Sequence, residues 1–98
     1  MAILKSKIKT DSSNFKVNSV EMGKQIDTLK DLLRKSKIEG TDASIKKARE
    51  REKFLARERI EFLIDRDSPF LELSPLAGLN HDSGFGIGGT NVCGIGFV

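Results

Sequence analysis

The chain has 98 residues, 38% hydrophobic and 32% charged, with a net charge of +3. That length allows a single domain with a modest core. No apolar run approaches the roughly 20 residues that cross a bilayer, and the lone cysteine, Cys93, excludes an internal disulfide framework and fits a reducing compartment.

The start, MAILKSKIKT, carries lysines but no apolar region long enough for a secretory signal. Residues 1–18 are polar and aperiodic, which predicts a flexible N-terminal arm ahead of a domain over residues 19–98. From about Ser19, Met22, Ile26, Leu29 and Leu33 recur at helical spacing, with Leu32 beside them. That amphipathic helix should stop before Glu39-Gly40, where glycine suits a C-terminal end.

Thr41, Asp42 and Ser44 offer side-chain oxygens to cap the next helix. There Ile45, Ala48, Leu55, Ala56, Ile60, Leu63 and Ile64 can share one side, interrupted by Glu52 and Arg59. These stripes are expected to pack as core. Residues 44–66 contain neither glycine nor proline. One long helix is therefore the expectation, and a break near Phe54–Ala56 is the rival. The charges of KKAREREKFLARERIEFLIDRD alternate in sign, which describes a solvated helix face and not the one-sign stripe of a nucleic-acid surface.

Asp67-Ser68-Pro69 ends the helical stretch, because proline lacks the N–H that a continuing helix uses. Phe70-Leu71-Glu72-Leu73 is a short strand candidate, closed by Ser74-Pro75. Residues 78–91 form a glycine-rich loop, and Val92–Val98 reads as a strand with Gly94 and Gly96 admitting a close neighbour. A terminal strand of this kind would expose apolar surface and an open edge, so a longer polypeptide is expected.

Within the loop, GFGIGG at 84–89 has the G-x-G-x-x-G spacing of dinucleotide-binding turns. That reading needs a buried strand before it and a helix directly after Gly89, where helix-end N–H groups meet the pyrophosphate. SPLAGLNHDS is too polar and TNVCGIGFV too β-branched for those roles. A backbone role is the expectation, with Gly88-Gly89 supplying a turn of positive φ.

Three blocks carry a resemblance to a known family: KKARERE at 46–52, ARERIEFLIDRDSPFLELSPLAG at 56–78 and GGTNVCGIGFV at 88–98. In this order they resemble the amino-terminal part of the carboxyltransferase (β) subunits of biotin-dependent acyl-CoA carboxylases. SPFLELSPLAG looks more like the methylcrotonyl and geranyl branch than the propionyl one. The resemblance implies an α+β fragment, in which N-terminal helices lead into the first strands of a crotonase-like carboxyltransferase domain. It implies an enzyme several times this length that moves a carboxyl group from N1′ of carboxybiotin to the carbon beside an acyl-CoA thioester. Biotin would ride on a partner subunit or domain that includes a biotin carboxylase. The acyl-CoA would be substrate, and the subunit would assemble with copies of itself in the cytoplasm, or in the mitochondrial matrix of a eukaryote. No nucleic acid or membrane partner is implied. The oxyanion-stabilising turns of the family lie downstream of this chain, so the 98 residues alone should be inactive. One departure stands out: the family has a glycine-containing turn before ARERI, whereas KAREREKFLARERI is shorter and places Leu55 there. The departure supports the single long helix.

No catalytic residue and no metal ligand is assigned, and no cofactor-binding residue is identified. His81 is the lone histidine and lacks companion ligands for zinc. Cys93 is expected to be a buried, inert thiol, with no histidine fixed beside it. Arg57 and Arg59 could meet a CoA phosphate bidentately. The favoured role is structural, with Arg57 pairing Glu61 at i,i+4 and Arg59 bonding strand backbone or Asp65. Asp65 and Asp67 oppose the helix dipole and are expected in a salt bridge or local cap. The rival to the whole reading is a small helical interaction module that uses the Met22–Leu33 face.

Overall fold

In the computed structural model, residues 1–81, 87 and 91–98 are described. Their element order is α1 (Ser13–Ser36), α2 (Asp42–Glu50), α3 (Ala56–Leu63), β1 (Leu71–Leu73) and β2 (Cys93–Ile95). The chain divides into two compact units, Met1–Asp31 and Leu32–Val98. GFGIGG and the Gly88-Gly89 turn lie outside the described residues, Ile87 excepted. The first element after them is the strand β2, so the helix that a dinucleotide site requires after Gly89 is missing from residues 91–98.

The first unit is the greater part of α1. Its helix begins at Ser13, earlier than the apolar periodicity suggests, because Ser12 caps it. The Ser12 hydroxyl accepts from the Phe15 N–H at 3.2 Å, and the Ser12 carbonyl accepts from Lys16. A polar first turn held by its cap leaves no apolar stripe to read. Lys24 pairs with Glu21 at 2.8 Å on the exposed surface, a contact worth little by itself. Met22, Ile26 and Leu29 are exposed, contrary to the expectation of core packing.

The second unit opens with the last turn of α1, which ends at Ser36, before Glu39-Gly40 as expected. Arg34 and Lys35 lie at this negative end of the helix dipole. Gly40, at φ 90°, turns the chain, and Thr41 caps α2 by accepting from the Ser44 N–H at 3.2 Å.

The single long helix over residues 44–66 does not form. α2 closes at Glu50 and α3 starts at Ala56, as the rival break allowed. The stop is a Schellman turn built without glycine. Glu52 adopts φ 54°, its N–H donates to the Arg49 carbonyl, and the Lys53 N–H reaches back to the Ala48 carbonyl, both at 2.9 Å. A non-glycine residue in the left-handed region gives no sequence signal. Where the resembling family uses a glycine-containing turn, this chain bends through a glutamate.

After Leu63 the chain turns through Ile64 and Asp65, whose N–H donates to the Phe97 carbonyl at 2.8 Å and ties the end of α3 to the segment after β2. The Asp65 carbonyl accepts from the N–H and hydroxyl of Ser68, while Asp67 takes φ 60°. Of the salt bridge or local cap expected of the two aspartates, the described residues show backbone turn bonds at the end of α3 and no salt bridge.

β1 and β2 pair antiparallel, with Leu71 opposite Ile95, Glu72 opposite Gly94 and Leu73 opposite Cys93. Only Cys93–Ile95 of the anticipated longer strand is in the ladder. Gly94 is required by packing. A Cβ there would sit 2.2 Å from Cζ of Phe70 and 2.6 Å from the Leu71 carbonyl oxygen. At Gly96 it would lie 3.0 Å from Ile64 Cγ2. Phe70 and Ile64 therefore occupy the space that side chains at these positions would need.

Among the described residues no apolar side chain is fully buried; Ile45, Leu55, Ile60, Ile64 and Phe70 are half-buried.

Two substitutions check these geometries. Glu52→Gly should strengthen the α2 stop by about 0.5–1 kcal/mol, since glycine takes positive φ without strain but has more freedom to lose on ordering. Slower hydrogen exchange of the Lys53 amide would report it. Gly94→Ala should weaken the β1–β2 pairing by about 1–3 kcal/mol, as overpacking against a carbonyl does. Weaker cross-strand nuclear Overhauser effects between Glu72 and residue 94 would reveal that loss.

Candidate functional site

The side chains that converge in the second unit do so at the start of α3. Arg57 reaches β1: its Nη1 donates to Oε2 of Glu72 at 2.9 Å and its Nη2 to Oε1 at 2.7 Å. Nη2 also lies 3.4 Å from the carbonyl oxygen of Ser36, the one fully buried polar residue among those described. The fork matches the carboxylate plane, a geometry specific to arginine. Both side chains are mostly shielded, with exposures of 25% and 21%. Arg57 Nε is enclosed without a partner. The expected Arg57–Glu61 pair is thus replaced by a tie across elements, because the guanidinium faces the strand and not the next helical turn.

Two carboxylates serve the N–H groups at the same helix end. Glu39 Oε1 accepts from the Arg57 N–H at 2.9 Å. Glu58 Oε2 accepts from the Leu55 N–H at 2.8 Å, which is half a capping box because leucine lacks the reciprocal oxygen. Negative groups here also complement the helix dipole. Glu58 is held from the other side by Arg49, through Nη1 at 2.8 Å and through an Nη2–Oε1 contact. Phe54 stacks edge-on against Phe62, with ring centroids 5.0 Å apart.

The electrostatics follow from these partners. The hydrogen bonds from Arg57 hold the Glu72 carboxyl below its ordinary range, against an opposing effect of burial, and Lys37 adds to the depression. Arg57 is held more firmly protonated by Glu72 in turn. The Arg49 hydrogen bonds, then the Leu55 N–H, lower Glu58 likewise.

The remaining candidates stay apart. Arg59 is exposed and pairs with neither strand backbone nor Asp65. His81 is exposed, its N–H bonded to the Gly78 carbonyl. Cys93 is exposed and not buried as expected, sharing its face of the two-stranded sheet with the exposed Leu71, Leu73 and Ile95. Among the described residues, no group of histidine, cysteine, aspartate and glutamate could hold a metal ion. No helix there is long and apolar enough to cross a membrane. Beside Arg57 lies a shallow cleft of about 150 Å3, lined by Ile60, Glu61, Ile64, Phe70 and Val92. It falls short of the roughly 300–1,000 Å3 of small-molecule sites. The arrangement braces helices against a strand.

Sequence reasoning missed Glu39, Arg49, Glu58 and Glu72 as a set. The available signal was Glu72 itself, a charge between two leucines in a short strand, which calls for a partner on its own face of the sheet.

Comparison with known proteins places this arrangement. No protein-family model matches the chain. It is 43% identical over 76 residues to the methylcrotonoyl-CoA carboxylase beta chain, mitochondrial, of Dictyostelium discoideum, which is 78% of this chain and 13% of that protein. The corresponding probable beta chain of Drosophila melanogaster is 40% identical over 76 residues, with the same shares covered. A probable biotin-dependent acyl-coenzyme A carboxylase beta2 subunit of Mycobacterium tuberculosis is 38% identical over 96 residues, 98% of this chain and 18% of that protein. By sequence the chain therefore belongs with the β subunits of biotin-dependent acyl-CoA carboxylases. Mitochondrial methylcrotonoyl-CoA carboxylase beta chains are among its relatives, and the chain spans 13–18% of the length of those cited here.

The tie between Arg57 and Glu72 sets a pH dependence. A carboxyl whose folded pKa is depressed contributes stability above its unfolded pKa, near 4.3, and that contribution is lost as pH falls through the lower folded value. Titrating the Glu72 side-chain carbon by NMR should give a midpoint below that of an unstructured reference peptide. In Arg57→Gln the midpoint should rise towards or above the reference.

Proposed function

We propose that this chain is the amino-terminal portion of the carboxyltransferase subunit of a biotin-dependent acyl-CoA carboxylase, and that it acts there as scaffold. The observation that carries this reading is 38–43% identity to β chains of such enzymes over 76–96 residues. The short α3–β1–β2 arrangement then forms the opening of a crotonase-like domain, whose oxyanion-stabilising turns come from polypeptide beyond this segment. The intact subunit moves the carboxyl group of carboxybiotin, carried by a partner subunit or domain, to the carbon beside an acyl-CoA thioester. Residues 1–18 serve as a lead-in that is helical from Ser13, residues 19–98 open the domain, and the subunit works as a homo-oligomer. A cytoplasmic or mitochondrial-matrix location goes with this reading.

The role of these residues is positional. Arg57, Glu72, Glu39 and Ser36 fix the start of α3 against β1, and Arg49 with Glu58 fixes α2 against α3. None of them is assigned to a reacting atom.

The test is acyl-CoA-dependent carboxylation by the intact subunit, supplied with biotin carboxylase and biotin carrier. Methylcrotonyl-, geranyl- and propionyl-CoA are the substrates to compare. Turnover with one of them is expected, and none from the 98-residue chain alone. Carboxylation by the isolated chain, or an intact subunit inert towards every acyl-CoA, would refute the proposal.

A further inference from the structure

The first unit carries an apolar seam along α1 that it leaves open. Phe15, Met22, Ile26 and Leu29 are all exposed, Met22 at 56%. With Ser19 they recur in steps of four, three, four and three residues. That is a seven-residue repeat, with Ser19 and Ile26 at position a and Phe15, Met22 and Leu29 at position d. A helix that packs on a broad core shows a wider stripe, whereas a narrow a/d row is the seam of a coiled coil. Glu21, Asp27 and Asp31 all fall off the seam. Gly23 borders it, and a Cβ added there would meet nothing within 4 Å. Glycine inside a helix costs about 1 kcal/mol relative to alanine. No neighbour among the described residues requires it, whereas close approach of a second helix would.

We propose that α1 pairs in parallel and in register with α1 of a second copy of this chain. The inference goes beyond the carboxylase reading and does not depend on it. Ser19 selects the occupant. In a parallel pair each a residue faces its own counterpart, so the Ser19 hydroxyl meets an identical hydroxyl that can accept its proton. Antiparallel pairing sets a against d, and every such register of the seam puts Ser19 against an apolar residue. A different, wholly apolar helix would leave the hydroxyl unmatched in the same way. A lone polar residue at a is a known device for fixing register. The flanking charges agree. In the parallel pair Asn18 lies beside Gly23 of the other copy, and Gln25 beside Lys30, so no like charges meet. An antiparallel pair that keeps Leu29 in the seam sets Lys16 beside Lys30 at both ends.

The test is disulfide trapping in the 98-residue chain, with Cys93→Ser removing its lone thiol. In a parallel pair the two d positions of one layer lie within disulfide reach, and residues on the outer face do not. Under oxidised glutathione, Met22→Cys should therefore give linked dimer about tenfold or more faster than Lys24→Cys, which lies on the outer face. Sedimentation of the unaltered chain, at concentrations up to about 1 mM, should show dimer, and Ile26→Asp should weaken it at least about tenfold by placing two like charges in the seam. Ile26→Ala, which keeps the helix, should weaken it less. Equal trapping at positions 22 and 24 would overturn the proposal. So would a chain that stays monomeric throughout that range, since the seam would then belong to another partner. Preferential trapping between Met22→Cys and Ile26→Cys chains when mixed would show an antiparallel pair and overturn it too. No acyl-CoA enters these measurements, so they can fail while the carboxylase reading stands.

Discussion

The second unit is organised around one guanidinium. Arg57 sits in the first turn of α3, yet its bonds go to β1 and to the last residue of α1. A planar fork can satisfy a carboxylate in only a narrow range of orientations, so the contact fixes both distance and rotation between helix and strand. The tie is not a simple gain in stability, because shielding two charges is costly and an apolar pair of similar volume can do as well. Its value is specificity. Removing one partner would leave the other charge stranded, which disfavours packings that separate α3 from β1.

Other features depend on that placement. With Glu72 turned towards α3, alternation puts Leu71 and Leu73 on the opposite face, and the pairing register carries Ile95 and Cys93 there with them. Gly94, opposite Glu72, then has to lack a side chain, since the Phe70 ring already occupies the position of its Cβ. At the other end of the helix, the Asp65 N–H closes onto the Phe97 carbonyl. Helix and sheet are thus joined by a salt bridge at one end and by a backbone bond at the other. With no fully buried apolar side chain among the described residues, these polar ties decide the arrangement.

Much of this order was legible in the sequence. Apolar spacing announced the helices, Thr41 announced the cap on α2, and Pro69 and Pro75 bracketed the first strand. The pattern failed where backbone conformation and residue type disagree. Glu52 in the left-handed region looks like any helix-forming glutamate, so the break between α2 and α3 was hidden. Pairing was lost for a related reason. Rules for helix neighbours reach three or four residues, whereas Arg49–Glu58 spans a turn and Arg57–Glu72 spans a helix and a bend. The family resemblance was readable because it sits in contiguous blocks. The bracing inside those blocks was not, since it depends on which side of a bend each charge emerges.

The bracing also changes the meaning of the charged run. Interleaved arginines and glutamates suggested a solvated face on one continuous helix. Once the helix breaks, the same residues face one another across the bend. Arg49 and Arg57 are each occupied by a carboxylate through paired hydrogen bonds. An arginine so engaged has little capacity left for a phosphate, because a ligand would have to displace a preorganised carboxylate and leave it partly shielded and unpaired. The ARERI block is therefore poorly suited to gripping CoA through Arg57. Arg59 is exposed and, among the described residues, outside these ties. Charge density in this segment serves architecture first.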